Sequence, residues 1–288
     1  MKLPACSIVV LSVLVTVVSP RALALSDDEV AAQIRLLNER ITRLEQTRAL
    51  PESEAAQGRL VARRYSDAII EVKGSVFMSF TIGLQTIPPT ERKIDIGATV
   101  IGASGLTMTS LSSVDPRSIF ESMRSQLKTG ADPVELGKTE YKNLRLRMAD
   151  GTEIPAKILW KDVDHDLVLL APDGAAASNR AFTFVDLSHA TESASVLGTY
   201  YHLSRTGEEF QRVLLVRAST VIGIVERPRR LLLVSTDMYP DTLGCPVFDA
   251  DGRVLGISLH IVEKGLPKGT VVAPAADLAA VIALASPN

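Results

Sequence analysis

The side chains best able to do chemistry in this 288-residue chain are Ser110, Ser112 and Ser113, Asp166, Cys245 and four histidines. A serine or cysteine attacks a carbonyl only when a base takes its proton, and imidazole is the usual base near neutral pH. The histidines are His165, His189, His202 and His260, so none precedes Asp164. His165 adjoins Asp166, but neighbours on a strand point to opposite faces, which disqualifies it as that carboxylate's partner. His189, His202 and His260 stand isolated, and none has metal-ligand spacing with Cys245; neither a metal site nor a cofactor is expected. Ser110, Ser112 and Ser113 can instead hydrogen-bond Asp166, a structural role for a carboxylate that burial would otherwise leave unpaired.

The elements that must position these groups begin after a leader. Met1-Lys2, the apolar run from Ser7 to Val18, and Ala22-Leu23-Ala24 have the order of a secretory signal peptide. The run is shorter than the roughly 20 residues that span a bilayer. Cleavage after residue 24 removes Cys6 and leaves Cys245 as the single cysteine, too few for an internal disulfide, so an extracytoplasmic chain must rely on its core. It also removes Lys2 and Arg21, taking the formal net charge from −2 to −4. That balance excludes a basic field for nucleic acid.

Residues 25–50 carry Val30, Ile34, Leu37, Ile41 and Leu44 at alternating spacings of four and three behind an acidic first turn. This is the seam of an amphipathic or coiled-coil helix, suited equally to self-association and to docking on its own domain. Pro51 and Gly58 interrupt it, and residues 51–64 are expected to be a linker.

Beyond Tyr65 the period changes. Short Val-, Ile- and Leu-rich runs such as "AIIEVKGSVFMSFTI", "NLRLRMADGTEIPAKILW" and "RVLLVRASTVIGIV" alternate with turn residues, among them Asp150-Gly151 and Asp251-Gly252. This spacing predicts an all-β, antiparallel barrel or sandwich architecture. Residues 116–138 are expected to form a polar, partly helical insertion, and "PAADLAAVIALA" a closing helix.

Three segments in order resemble the trypsin-like serine proteases of the bacterial HtrA (Do-like) type. They are "GATVIGASGLTMTSLSSVD", "DGTEIPAKILWKDVDHDLVLLAP" and "YPDTLGCPVFDADGRVLGIS". The resemblance covers most of residues 65–286. It implies two perpendicular six-stranded antiparallel β-barrels, one over about 65–175 and one over about 180–275, with a cleft between them. The chain ends after its closing helix, so no PDZ domain is expected.

The same resemblance assigns positions. The histidine's place falls to Ser112, whose hydroxyl does not titrate near neutral pH. The aspartate's place keeps Asp166. The nucleophile's place falls to Leu243, within the loop Gly244-Cys245-Pro246, and the glycine that donates to the oxyanion becomes Asp241. A carboxylate there opposes developing negative charge. Cys245 falls two positions late, without a base to lower its pKa, and suits a small buried residue in place of glycine.

The expectation is therefore a secreted or periplasmic trypsin-like serine protease homologue without an intact triad. Such a pseudoprotease would bind an extended peptide or protein segment in its residual cleft by strand addition, with residues 26–48 oligomerising or tethering it. Two alternatives stand beside this. One is an endopeptidase with an unconventional site at Cys245 or a serine near Ser112. The other is a structural envelope protein assembled through its N-terminal helix.

Overall fold

The computed structural model describes residues 52–126, 134–174, 180–191, 194–235, 242–263 and 266–285. The chain divides after Ser53 into two units. The expected signal peptide and the helix expected over 25–50 lie outside the described residues. The unit from Glu54 onward carries every strand of the fold.

Among the described residues twelve strands close into two antiparallel barrels, as the resemblance predicts; the strand spacing alone leaves barrel and sandwich both open. The first comprises β1 (Ile69–Ile82), β2 (Gln85–Val100), β3 (Thr107–Ser110), β4 (Val134–Arg147), β5 (Glu153–Asp162) and β6 (Leu167–Pro172), in the order β1-β2-β3-β6-β5-β4. The second comprises β7 (Thr199–Arg205), β8 (Leu214–Val225), β9 (Leu231–Val234), β10 (Pro246–Phe248), β11 (Val254–Glu263) and β12 (Leu266–Pro274), in the order β10-β11-β12-β9-β8-β7. The turns at Gly151 and Gly252 have φ of +84° and +76°, a backbone that glycine enters without steric penalty.

Three apolar clusters hold this frame. Val72, Leu146 and Val168 are among those filling barrel one, and Val221, Leu232 and Val247 are among those filling barrel two. The third, with Met108, Leu169, Leu203 and Phe248, joins residues of both barrels under two helices. Between Val254 and Leu259 every residue of β11 is buried, so this stretch does not alternate between core and solvent. Leu255 packs in the barrel-two cluster, and Val254, Ile257 and Leu259 pack in the shared core.

The segment expected as a linker is helical. The helix α1 (Glu52–Tyr65) runs through Gly58 because it lies flat on Tyr201: a Cβ at position 58 would stand 3.1 Å from that ring. Tyr201 Oη also donates to the Glu54 carbonyl at 3.0 Å. Glycine costs a helix about 1 kcal/mol relative to alanine, and close docking offsets it. At the helix end Tyr65 stacks on Phe248 with centroids 4.4 Å apart and donates its hydroxyl to the Gly252 carbonyl.

Among the described residues of the insertion at 116–138, α2 (Pro116–Gln126) is helical. From Val134 the chain is already β4, because β1 extends to Ile82 and offers a free edge that Val134 completes. The closing helix forms as α3 (Ala275–Ala285). Among the described residues no helix is long and apolar enough to cross a membrane.

The β7–β8 loop latches barrel two to barrel one. Arg212 forms an ion pair with Glu71 at 2.8 Å, both side chains 8% exposed, and donates to the Met148 carbonyl. Arg205 donates to the carbonyls of Ile69 and Ser66, each at 2.8 Å. Gln211 and Arg212 both adopt left-handed backbone, φ +57° and +56°. Non-glycine residues pay roughly 1–2 kcal/mol each for this, and the buried arginine contacts hold them there.

Candidate functional site between the barrels

The site is built where β3 ends. Leu111–Ser113 form one 3-10 turn after β3, and the Leu111 N–H bonds the Asp166 carbonyl at 2.9 Å. Asp166 is not on a strand. It occupies the turn before β6 with φ +54°, which aims its side chain back under the serines. His165 turns away to Asp162, its Nδ1 2.7 Å from that carboxylate.

Asp166 is 1% exposed and accepts three strong hydrogen bonds. Ser112 N–H reaches Oδ1 at 2.7 Å, while Ser110 Oγ at 2.6 Å and His260 N–H at 2.8 Å reach Oδ2. Burial still dominates and raises its pKa above the usual carboxylate value, against the lowering effect of these donors. The predicted seryl cluster is therefore present, with Ser113 Oγ completing it through Ser110 at 3.4 Å.

His260 is the residue that sequence reasoning missed. It is not isolated: its Nδ1 lies 2.8 Å from Ser112 Oγ and 4.0 Å from Asp166 Oδ2. Burial of the imidazole lowers its pKa below the usual histidine value, and the charge of Asp166 opposes that shift. It arrives from barrel two on β11, whose path is set by paired bonds between Ser258 and the loop before β10. Neither is His189 isolated, since its Nδ1 lies 2.8 Å from Asp186. His202 lies buried in barrel two, 3.4 Å from Ser258 Oγ, and desolvation pushes its pKa down to about 4.

Leu243 occupies the turn before β10 and is 5% exposed. Gly244 follows with φ +74°; its N–H donates to the Ser258 carbonyl at 2.7 Å and its carbonyl accepts from Thr99 Oγ1 at 2.6 Å. A Cβ there would meet Thr109 Oγ1 at 2.4 Å and the Gly97 carbonyl at 2.6 Å, so glycine is required where the loop crosses barrel one. Cys245 is fully buried, the environment of a packing residue. Asp241 lies outside the described residues.

A cavity of about 380 Å³ is lined by Leu243 and Ser113, by Asp95, Ile96 and Gly97 of β2, and by the β7–β8 loop from Thr206 to Glu209. Among the described residues no group of three or more His, Cys, Asp and Glu side chains is arranged to hold a metal ion.

Two closed six-stranded barrels with a loop site between them define the trypsin-like double-barrel class of protein. A family model for the trypsin-like peptidase domain matches residues 97–257, more than half of the chain. The chain belongs to that family. A search of curated protein sequences finds no match. Solved structures with the same fold include Deg5, at 16% identity and TM-score 0.53 over 82% of this chain and 97% of that one. The HtrA-type protease AlgW with tripeptide aligns at 13% identity and TM-score 0.52 over 78% and 62%. An inactive serine-to-alanine form of Rv3671c from M. tuberculosis aligns at 13% identity and TM-score 0.50 over 82% and 94%.

Proposed function

We propose that this protein is an extracytoplasmic pseudoprotease that binds an extended peptide or protein segment in the cleft between its barrels and does not cleave it. One observation carries the reading: Leu243, an aliphatic side chain, sits in the turn where the family resemblance puts the nucleophile, on the wall of the inter-barrel cavity. An alkyl group cannot attack a carbonyl. It can anchor an apolar side chain of a bound segment, while main-chain groups along the cleft hold that segment extended. The retained frame supports this too, since Gly244 and its Thr99 bond keep the loop in place although the nucleophile is lost. Export rests on the leader, and oligomerisation or tethering on the seam within residues 26–48.

The test combines two assays on the mature protein. Incubation with unfolded casein is expected to yield no fragments, and selection from an unfolded-peptide library is expected to yield binders. Leu243→Arg weakens those binders at least tenfold by replacing the apolar anchor with a charged side chain. Cleavage that survives repurification overturns the proposal, as does binding indifferent to Leu243→Arg.

A further inference from the structure

We infer that Ser112 is a nucleophile in its own right, activated by His260, and that it takes activated acyl and phosphoryl compounds whose leaving group departs as a stable anion. This stands apart from Leu243 and from peptide binding, and it has its own assay.

Ser112 Oγ lies 2.8 Å from His260 Nδ1, the distance of a hydroxyl poised to hand over its proton. A single carboxylate fixes both partners. Asp166 binds the Ser112 main chain through Oδ1 and the His260 main chain through Oδ2, so residues 148 positions apart in the chain are held in register by one rigid group. Asp166 is thus a positioning residue, acting on two backbones. Desolvation keeps the imidazole neutral and able to accept a proton. The His260 side chain is about one-fifth exposed and Ser112 is 9% exposed, with neighbouring Ser113 on the cavity wall.

The limit on substrate comes from the same geometry. Amide cleavage requires a donor pocket for the oxyanion and a proton for the leaving amine. The Gly244 N–H is already committed to the Ser258 carbonyl. Activated compounds relax the second demand. With a fluorophosphonate, the Ser112 Oγ–P bond forms as the P–F bond breaks, fluoride leaves with the electron pair, and the hydroxyl proton passes to His260 Nδ1 and on to water. With a p-nitrophenyl ester, the acyl carbon takes the place of phosphorus and p-nitrophenolate leaves.

The experiment treats the mature protein with excess fluorophosphonate and locates the adduct by intact mass and peptide mapping. One adduct on Ser112 is expected, formed faster as pH rises through an inflection below 6.5, where His260 becomes neutral. Ser112→Ala abolishes it. His260→Gln, which can hydrogen-bond but not take up the proton, slows it by about 100-fold. Absence of an adduct, an adduct elsewhere, a rate independent of pH, or an unchanged rate in His260→Gln overturns the inference. If either variant fails to fold, the adduct's position and pH profile in the unaltered protein decide. Casein remains uncut in every case where only this inference holds, which separates its failure from failure of the peptide-binding reading.

Discussion

His260 and Asp166 are 94 residues apart and in different barrels, yet the His260 main-chain N–H donates to the Asp166 carboxylate at 2.8 Å. The aspartate that the family resemblance assigns to steadying an imidazole side chain here grips the backbone of a histidine instead, and with its other oxygen the backbone of Ser112. Asp166 has become a staple between the barrels. The imidazole itself is left to Ser112, whose Oγ lies 2.8 Å from its Nδ1.

Removing the staple leaves two buried N–H groups without an acceptor. Asp166→Ala is expected to lower stability by about 3 kcal/mol, the desolvation cost of orphaned donors offset in part by relief of a buried charge. Urea denaturation measures this. A loss below about 0.5 kcal/mol, within the range of ordinary surface substitutions, contradicts the role.

Gly151 and Gly244, both at positive φ, separate conformational strain from collision. Gly151→Ala, in open space, is expected to cost about 1 kcal/mol, the left-handed penalty alone. Gly244→Ala adds a methyl group 2.4 Å from Thr109 Oγ1 and is expected to cost more than about 3 kcal/mol. Thermal melts of the two variants side by side check the ordering.

His202 predicts an acid-labile barrel two. Its pKa is about 4 when folded against 6.5 when unfolded, so the unfolded chain takes up the proton first as pH falls. The stability tied to its neutral form is complete above pH 6.5 and is lost as pH falls through about 4, by about 3 kcal/mol in all. His202→Phe is expected to flatten the unfolding free energy across this window. A slope identical to that of the unaltered protein rules the histidine out as its cause.

The latch between Arg212 and Glu71 is a buried ion pair, so losing one member costs more than losing both. Arg212→Ala is expected to destabilise by about 3–5 kcal/mol, because the Glu71 carboxylate stays buried without its partner. The double variant with Glu71→Leu recovers part of this. A double-mutant cycle read by chemical denaturation gives the coupling, and additivity of the two single effects refutes it.

Particular residues mark how far the sequence is legible. Asp150-Gly151 and Asp251-Gly252 announce hairpins because the glycine at positive φ that closes each tight turn is a local steric requirement. Ser110, Ser112 and Asp166 are legible as one cluster because β3 and β6 are neighbours in barrel one and pair directly, Ser110 against Leu167. Gly58 has the local signature of a breaker, and its penalty is real, but the ring of Tyr201 that makes it useful is 143 residues away, a distance no window of composition covers. Residues 134–138 resemble loop because their polar pattern carries no core; they become strand when β1 supplies unpaired main-chain groups.

By itself the sequence determined an antiparallel all-β architecture and the absence of any histidine before the aspartate's segment, which are matters of residue type and periodicity; the double-barrel frame and Leu243 in the nucleophile's turn are what the family resemblance implies. Only the tertiary structure decided that His260 meets Ser112, that Asp166 serves two backbones, and that Gly58 belongs inside a helix. Each of those depends on two segments far apart in the chain arriving within about 3 Å of each other. That arrival is set by closure of two barrels and the packing of their shared core, which no local stretch encodes.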